Sequence, residues 1–301
     1  MGYINTIMIL GGISVIAALG VAILTGYTGL FSIGHAAFMA LGGYAAAYAF
    51  MNWHFPFVVA LLFGGLFSGL CSLIIGFPTF RSKLTGDYFA IATFGFAEAI
   101  RLLLNNTYKS LGGAFGFTGI PQLTTLPIVL ISVALAVFFA HSFVTSQYGK
   151  NCIAVKQDEV AAQMMGVNLM KTKLTALFIS AFFGGVAGAL FGFYMAYLVP
   201  SMFTATRSYD LLAAVVFGGM QSLIGPAIAA FVLVAVPELL RFFTEWRLII
   251  YGLLFVIIMI FKPQGLLGYT EMNFTYTWSV LKNFFKKIFG KKEPKTEGGD
   301  R

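Results

Sequence analysis

The stretch INTIMILGGISVIAALGVAILTGYTGLFSIGHAAFMALGGY, residues 4–44, decides the fold. Its first part, 4–24, is a continuous apolar run, and a helix of roughly 20 such residues spans the hydrocarbon core of a bilayer. The glycine-rich segment 26–35 interrupts the apolar pattern, and a second apolar run rich in Ala and Gly follows at 36–51. The stretch therefore predicts two membrane helices joined by a break.

The composition extends this interpretation to the whole chain. Apolar residues make up 59% and charged residues 10% of the 301 residues, whereas soluble domains have about 45–50% and 25%. Nineteen basic and 11 acidic side chains are too few to cover a soluble fold of this size. We predict an all-α polytopic membrane helix bundle of about 8–10 transmembrane helices, some of them short or discontinuous, over residues 1–268.

The remaining apolar runs predict the other helices. They lie at about 57–76, 88–104, 124–143, 174–198 and 247–262. The segment 209–240 is too long for one untilted span and is predicted to be broken at Gly218-Gly219 and at Gly225-Pro226. Glycine and proline weaken a helix, so this segment is predicted to form two short helices or one discontinuous helix.

Basic residues predict the orientation. The loop 144–173 carries four lysines and the tail 269–301 is also lysine-rich, and both should therefore face the cytoplasm. If the segment 209–240 crosses the membrane twice, the loop 144–173 and the tail lie on the same side. The chain then has nine crossings, with the N-terminus outside. The tail is predicted to be partly an amphipathic helix that lies on anionic lipid, with a solvated disordered tail as the alternative.

Charge and motifs exclude several classes of function. The net charge of +8 is concentrated in the tail and the short loops, as in a membrane protein and not as in a nucleic-acid-binding protein. No Walker A loop, zinc pattern or nucleophile elbow is present, and Cys71 and Cys152 fit no redox spacing. We therefore expect no catalytic residue, metal or cofactor in this chain, and an energy source in a gradient or a partner protein.

Three polar clusters are candidates for function. In the break, Gly26 and Gly29 flank Thr28, and Ser32 and His35 follow. Irregular backbone at membrane depth is tolerated where it is buried in protein or lines a wet cavity, although an ordinary aqueous loop is the alternative here. The adjacent Gly42-Gly43 pair suits tight packing between helices.

The second cluster is an intramembrane charge pair, Glu98 and Arg101, which are three residues apart and share one helical face. Such groups normally pair or face a cavity. A structural ion pair is expected, and a proton relay is the alternative.

The third cluster is DEVAAQMMGVN, residues 158–168, in the cytoplasmic loop. A short helix with small residues on one side, ended by a glycine, suits insertion into a groove on another protein.

Together these residues resemble the permease subunits of branched-chain amino acid ATP-binding-cassette (ABC) importers, of the LivM-like type. The matching stretches span nearly the whole chain in order, whereas the tail has no clear counterpart. They are GYTGLFSIGHAAFMALGGY (26–44), LTGDYFAIATFGFAEAIRLLLNN (84–106), GGAFGFTGIP (112–121), DEVAAQMMGVN (158–168), SAFFGGVAGAL (180–190), VVFGGMQSLIGP (215–226) and YGLLFVIIMIFKPQGLLG (251–268).

The resemblance implies that this chain is half of a translocation path in a bacterial plasma membrane. The implied partners are a second, related permease, an extracytoplasmic binding protein and two cytosolic ATPases, which would use the ATP and Mg²⁺. An ATPase-coupling role is implied for five residues of the loop: Glu159, Ala161, Ala162, Gly166 and Lys171. We further predict that the break and the segment after Asp87, including Thr93, line the path.

Alternative functions remain open from the sequence alone. Related permeases carry urea, short amides or other amino acids. A stand-alone ion-coupled secondary transporter, with Glu98 as its relay, belongs to a different class and would not need a docking helix in loop 144–173. A membrane-embedded enzyme is disfavoured because no acid, base or metal set converges.

Overall fold

The computed structural model describes residues 2–83, 86–239 and 252. The predicted run at 247–262, apart from Gly252, and the predicted tail 269–301 lie outside the described residues. The count of nine crossings and the cytoplasmic location of the tail therefore stay predictions.

The described part of the chain is helical, which confirms the all-α prediction. The described residues form eleven α-helices: α1 (Tyr3–Val21), α2 (His35–Trp53), α3 (Phe57–Arg81), α4 (Asp87–Asn106), α5 (Tyr108–Leu111), α6 (Leu126–Thr145), α7 (Gln147–Gln157), α8 (Glu159–Met164), α9 (Leu169–Met195), α10 (Ala205–Gly218) and α11 (Ile224–Leu239). A π-helical turn, Ala22–Tyr27, continues α1, and 3₁₀ turns occupy Gly113–Phe115 and Pro200–Met202. Two short strands, β1 (Phe117–Thr118) and β2 (Tyr197–Leu198), pair antiparallel with Phe117 opposite Leu198.

Four segments of the described chain are long and apolar enough to cross a membrane. They are Tyr3–Tyr27, Phe57–Arg81, Leu126–Thr145 and Leu169–Met195. In an apolar stretch of 18 residues, the buried share is 83% for the first segment and only 17% for Leu126–Thr145. The first helix therefore lies at the centre of the bundle, and α6 lies at its periphery with most of its apolar surface turned outward.

Small residues bring the central helices into backbone contact. A Cβ atom added at Gly185 of α9 would lie 2.6 Å from Cβ of Ser68 and 2.8 Å from the carbonyl oxygen of Gly64, both in α3. Gly42 of α2 lies against the backbone of Gly185, and Gly43 lies against the carbonyl of Gly188. The predicted tight packing at Gly42-Gly43 is thus present, and it joins α2, α3 and α9.

The segment 209–240 forms two helices, as predicted, but it is interrupted at only one place. The turn between α10 and α11 follows Gly218, whose backbone packs against that of Gly225. The break predicted at Gly225-Pro226 is wrong, because both residues lie in the first turn of α11. Proline is tolerated there because the first helical N–H groups have no partner within the helix.

The loop 144–173 is more ordered than the sequence suggests. It contains two helices, α7 and α8, and the first turn of α9. Sequence reasoning identified only α8. The start of α7 carries a signal in Ser146, whose side-chain oxygen caps the helix by accepting from the Gly149 N–H at 3.4 Å.

Candidate functional site

The helix α8 is capped at both ends by its own sequence. Oδ1 of Asp158 accepts from the N–H groups of Val160 at 2.8 Å and Ala161 at 3.0 Å. At the other end Gly166 has φ +84°, and the N–H of Val167 donates to the carbonyl of Ala162 at 3.0 Å. These two features, with the bond from the Gly166 N–H to the Gln163 carbonyl, form a Schellman motif. The predicted short helix ended by glycine is confirmed.

Three large apolar side chains are exposed on α8 and directly after it, beside the exposed Gln163. Met164 and Met165 are 83% and 84% exposed, and Val160 is also exposed, whereas Ala162 is buried against the bundle. An exposed apolar cluster beside polar groups is typical of a protein contact site, and methionine adapts its shape to a partner. Sequence reasoning considered Glu159, Ala161, Ala162, Gly166 and Lys171 for this contact and did not consider the two methionines, although the Met-Met-Gly sequence was visible.

An ion pair ties α8 to α9. Nζ of Lys173 lies 2.7 Å from Oε1 of Glu159, and the lysine side chain is only 6% exposed. Glu159, one of the predicted coupling residues, therefore positions α8 on the bundle through this contact. Lys171 is exposed, and its backbone N–H donates to the Asn168 side chain that caps α9.

The break after α1 is an ordered turn, and its hydroxyl groups satisfy backbone carbonyls. The π-helical turn Ala22–Tyr27 ends α1. Oγ1 of Thr25 donates to the carbonyl of Leu30 at 3.1 Å, and Oγ1 of Thr28 donates to the carbonyl of Ile23 at 3.2 Å. Single π-helical turns within membrane helices frequently occur at functional sites.

The break contacts the loop 144–173 directly. Nζ of Lys156, in the last turn of α7, donates to the carbonyl oxygen of Gly26 at 2.6 Å. A Cβ atom at Gly29, which has φ +76°, would lie 3.1 Å from Cγ of the same lysine. Burial lowers the pKa of Lys156. Sequence reasoning used Lys156 only to orient the loop and did not place it beside the break.

The same break contacts the turn between α10 and α11. The hydroxyl of Tyr27 donates to the carbonyl of Gln221 at 3.3 Å, and Gly26 packs against the carbonyl of Met220. A cavity of ≈ 400 Å³ lies beside this junction, and Gly26, Lys150 and Lys156 are among its lining residues. The end of α1 thus joins α7 to the α10–α11 turn.

The other predicted path residues are buried within the chain, with one exception. Oγ1 of Thr93 accepts from the N–H of Ile33 at 3.1 Å, and Nε2 of His35 lies 2.7 Å from Oγ of Ser180 in α9. Ser32, His35 and Thr93 are at most 1% exposed. The structure therefore brings α4 to the break at Thr93. Asp87 is exposed at the start of α4, six positions earlier in the chain.

Glu98 and Arg101 form an ion pair on α4. Oε2 of Glu98 lies 2.7 Å from Nη2 and 2.8 Å from Nε of Arg101. Their side chains are 29% and 34% exposed in the single chain. Because an ion pair is costly against lipid, this face of α4 should contact protein or water.

These features define a polytopic membrane protein with an ordered, helical loop between α6 and α9. No group of three potential metal ligands is present within residues 2–83 and 86–239.

The chain belongs to the family described as "Branched-chain amino acid transport system / permease component", whose family model matches residues 3–261. It is a membrane permease component and not an enzyme.

Two similar proteins are the high-affinity branched-chain amino acid transport system permease proteins LivM of Escherichia coli (strain K12) and Salmonella typhimurium (strain LT2). Each is 33% identical to this chain over 86% of the chain and 68% of the relative. The permease protein LivH of Escherichia coli is 26% identical over 48% of this chain and 46% of the relative. No solved structure matches the chain.

Proposed function

We propose that this chain is one half of the translocation path of an ATP-driven importer of branched-chain amino acids. It would act with a second, related permease, two cytosolic ATPases and an extracytoplasmic binding protein, in a bacterial plasma membrane. The similarity to both LivM and LivH relatives supports a pair of related permeases. Leucine, isoleucine and valine are the proposed substrates because the relatives' names specify branched-chain amino acids.

One contact carries the proposal: the hydrogen bond from Lys156 to the Gly26 carbonyl. It joins the loop that holds the docking helix α8 to the break at the end of the central helix. A displacement of α8 by an ATPase would reach the membrane core through α7 and this bond. An ATPase-driven permease needs such a link, because ATP hydrolysis occurs outside the membrane.

The docking surface proposed on α8 consists of Val160, Met164 and Met165, supported by Glu159 and Lys173. The three exposed apolar side chains would enter a groove on an ATPase, as amphipathic helices do in other complexes. Ala162 is buried against the bundle and Gly166 ends α8, whereas Ala161 and Lys171 are exposed beside the proposed surface.

The break and α4 are proposed to border the path as a gate. Ser32, His35 and Thr93 are buried in the described conformation, so opening of the path requires them to separate. The partly exposed Glu98–Arg101 pair on the same helix favours a protein-facing or water-facing location for α4. Asp87 would then lie at the inner mouth.

Reconstitution of the complete complex tests the function. Proteoliposomes that contain both permeases and both ATPases are loaded with ATP, and uptake of labelled leucine is measured with the binding protein outside. We expect uptake that depends on internal ATP and is unaffected by an uncoupler. Uptake that continues without ATP and stops with an uncoupler would identify an ion-coupled transporter instead. Uptake of urea in preference to leucine would overturn the assignment of branched-chain amino acids as substrates.

Thiol labelling tests the gate. Ser32→Cys and Thr93→Cys are made separately in a complex whose permease chain lacks Cys71 and Cys152, and a membrane-impermeant thiol reagent is added. Labelling should differ between the nucleotide-free and the ATP-trapped complex. Equal protection of both positions in every state would show that they belong to the packed core and do not border the path.

A further inference from the structure

A second cavity, of ≈ 510 Å³, lies between α1, α10 and α11, and the coupling loop does not contribute to it. Its volume is typical of sites for small molecules. Its lining residues are Leu10, Ser14, Thr206, Arg207, Asp210, Leu211, Ala214, Ala230, Leu233, Val234, Pro237 and Glu238. The cavity therefore combines an aliphatic wall with one cationic and two acidic residues.

Arg207 lies deep in this cavity. Its Nη2 is 3.4 Å from Oγ of Ser14, and Ser14 is halfway along the 25-residue apolar segment Tyr3–Tyr27. The guanidinium carbon lies 5.8 Å from the centre of the Phe191 ring. A cation at this depth is costly and is normally retained for a function.

The guanidinium of Arg207 has no carboxylate within 4.0 Å in the described part of the chain, where the ion pairs are Glu98–Arg101 and Glu159–Lys173. Asp210 is three residues from Arg207 on the same helix, which is the spacing of Glu98 and Arg101. Glu98 and Arg101 form an ion pair at 2.7 Å, whereas Arg207 and Asp210 do not approach within 4.0 Å. An arginine has five N–H donors, and a single hydrogen bond to Ser14 leaves most of them available.

We propose that this cavity binds a zwitterionic α-amino acid with an aliphatic side chain, between Arg207 and Asp210. The α-carboxylate pairs with Arg207, whose planar fork suits a bidentate carboxylate contact. The α-ammonium pairs with Asp210, and the aliphatic side chain packs against Leu10, Leu233 and Val234, the partly exposed aliphatic residues of the lining. The inference rests on the proposed function and extends it to a site for the substrate within the permease.

The charges explain why a zwitterion suits the site. Arg207 is partly exposed and Asp210 is exposed in the single chain, and a substrate with both charges compensates the arginine and the aspartate at once. A ligand with only one of the two charges leaves one protein group unpaired. Leu10, Leu233 and Val234 are only partly buried in the chain, so a branched aliphatic group can contact them in the cavity.

Equilibrium binding of labelled L-leucine to the complete complex in nanodiscs, without the binding protein, tests the inference. Two analogues serve as competitors: L-leucinamide, which lacks the carboxylate, and 4-methylpentanoate, which lacks the ammonium. We expect saturable leucine binding, with each analogue about 10-fold weaker or more, because charge-assisted hydrogen bonds are the stronger ones.

The variants separate the two contacts. Arg207→Gln should remove the preference for leucine over leucinamide, and Asp210→Asn should remove the preference for leucine over 4-methylpentanoate. Tyr209→Phe is the matched control, because Tyr209 is on the same helix, exposed and outside the cavity lining. It should leave both preferences unchanged. If Arg207→Gln does not assemble, Arg207→Lys keeps the charge and should lose the preference only in part.

Two outcomes would overturn the inference: no saturable leucine binding to the wild-type complex, or preferences that neither variant alters. Either result leaves the proposed function intact if the proteoliposomes still take up leucine with ATP. Failure of that uptake, measured separately, would count against the function itself.

Discussion

Replacement of Lys156 by methionine should weaken the coupling of ATP hydrolysis to transport and leave the bundle folded. The substitution removes the hydrogen bond from Nζ to the Gly26 carbonyl, which is 2.6 Å long. Methionine keeps most of the side chain that packs beside Gly29. The change therefore acts on one contact between α7 and the break, and the packing of the central helices should be unaffected.

The size of the effect follows from the environment of the lysine. A hydrogen bond from a charged group contributes about 1.5–3 kcal/mol. Lys156 is partly buried, and that burial lowers its pKa, so desolvation of the ammonium offsets part of the gain. A net loss of about 1–1.4 kcal/mol remains, which changes the equilibrium between the linked and separated arrangements by about 5–10-fold.

Lys150→Met is the control. Lys150 lies on the same helix and borders the same cavity as Lys156. It is exposed, and its ammonium makes no hydrogen bond or ion pair to the described residues. Both variants lose one positive charge from the same place, so they differ only in the contact with Gly26.

The assay measures leucine transported per ATP hydrolysed in proteoliposomes that contain the complete complex. The ratio should fall several-fold for Lys156→Met and stay at the wild-type value for Lys150→Met. Equal ratios for the two variants would refute the argument that this hydrogen bond transmits the motion of the coupling loop.

Three further substitutions test other parts of the structure. Gly166→Val should destabilise the C-terminal cap of α8 by about 1–2 kcal/mol, because valine disfavours the left-handed φ, and should reduce substrate-stimulated ATP hydrolysis. Gly166→Asn should be tolerated. Unchanged ATP turnover in a Gly166→Val complex that still copurifies with its ATPases would contradict the docking role of α8. Glu98→Gln should reduce assembly, measured by copurification, because Arg101 loses its partner, and the double change with Arg101→Gln should restore it; normal assembly with uptake lost would favour a proton relay. Gly185→Ala should destabilise the folded protein by about 1–3 kcal/mol through overpacking, which is measured as a lower melting temperature of the purified complex. Gly95→Ala should leave the melting temperature unchanged, because nothing lies within 4 Å of the added Cβ. Equal decreases for the two variants would show that the helix contact at Gly185 is not specific.

Much of the fold was predictable because bilayer thickness and hydropathy act locally. Each apolar run of about 20 residues predicts a helix by itself, and the runs at 4–24, 57–76 and 124–143 correspond to α1, α3 and α6. The caps of α8 were equally local, since Asp158 and Gly166 act on backbone groups a few residues away. The same local rule failed at Gly225-Pro226, because a proline in the first turn of a helix resembles a proline in a break.

The tertiary structure decided what each polar residue contacts. Lys156 and Gly26 are 130 residues apart, and Arg207 and Ser14 are 193 apart. No periodicity links positions so distant in sequence, and a lysine in a basic loop or an arginine near a helix start has many possible partners. The sequence determined that Glu98 and Arg101 share a helical face, because their spacing is local. Only the packing of α1 and its π-helical turn against α7 and α10 determined that Lys156 contacts the break and that Arg207 and Asp210 line a cavity.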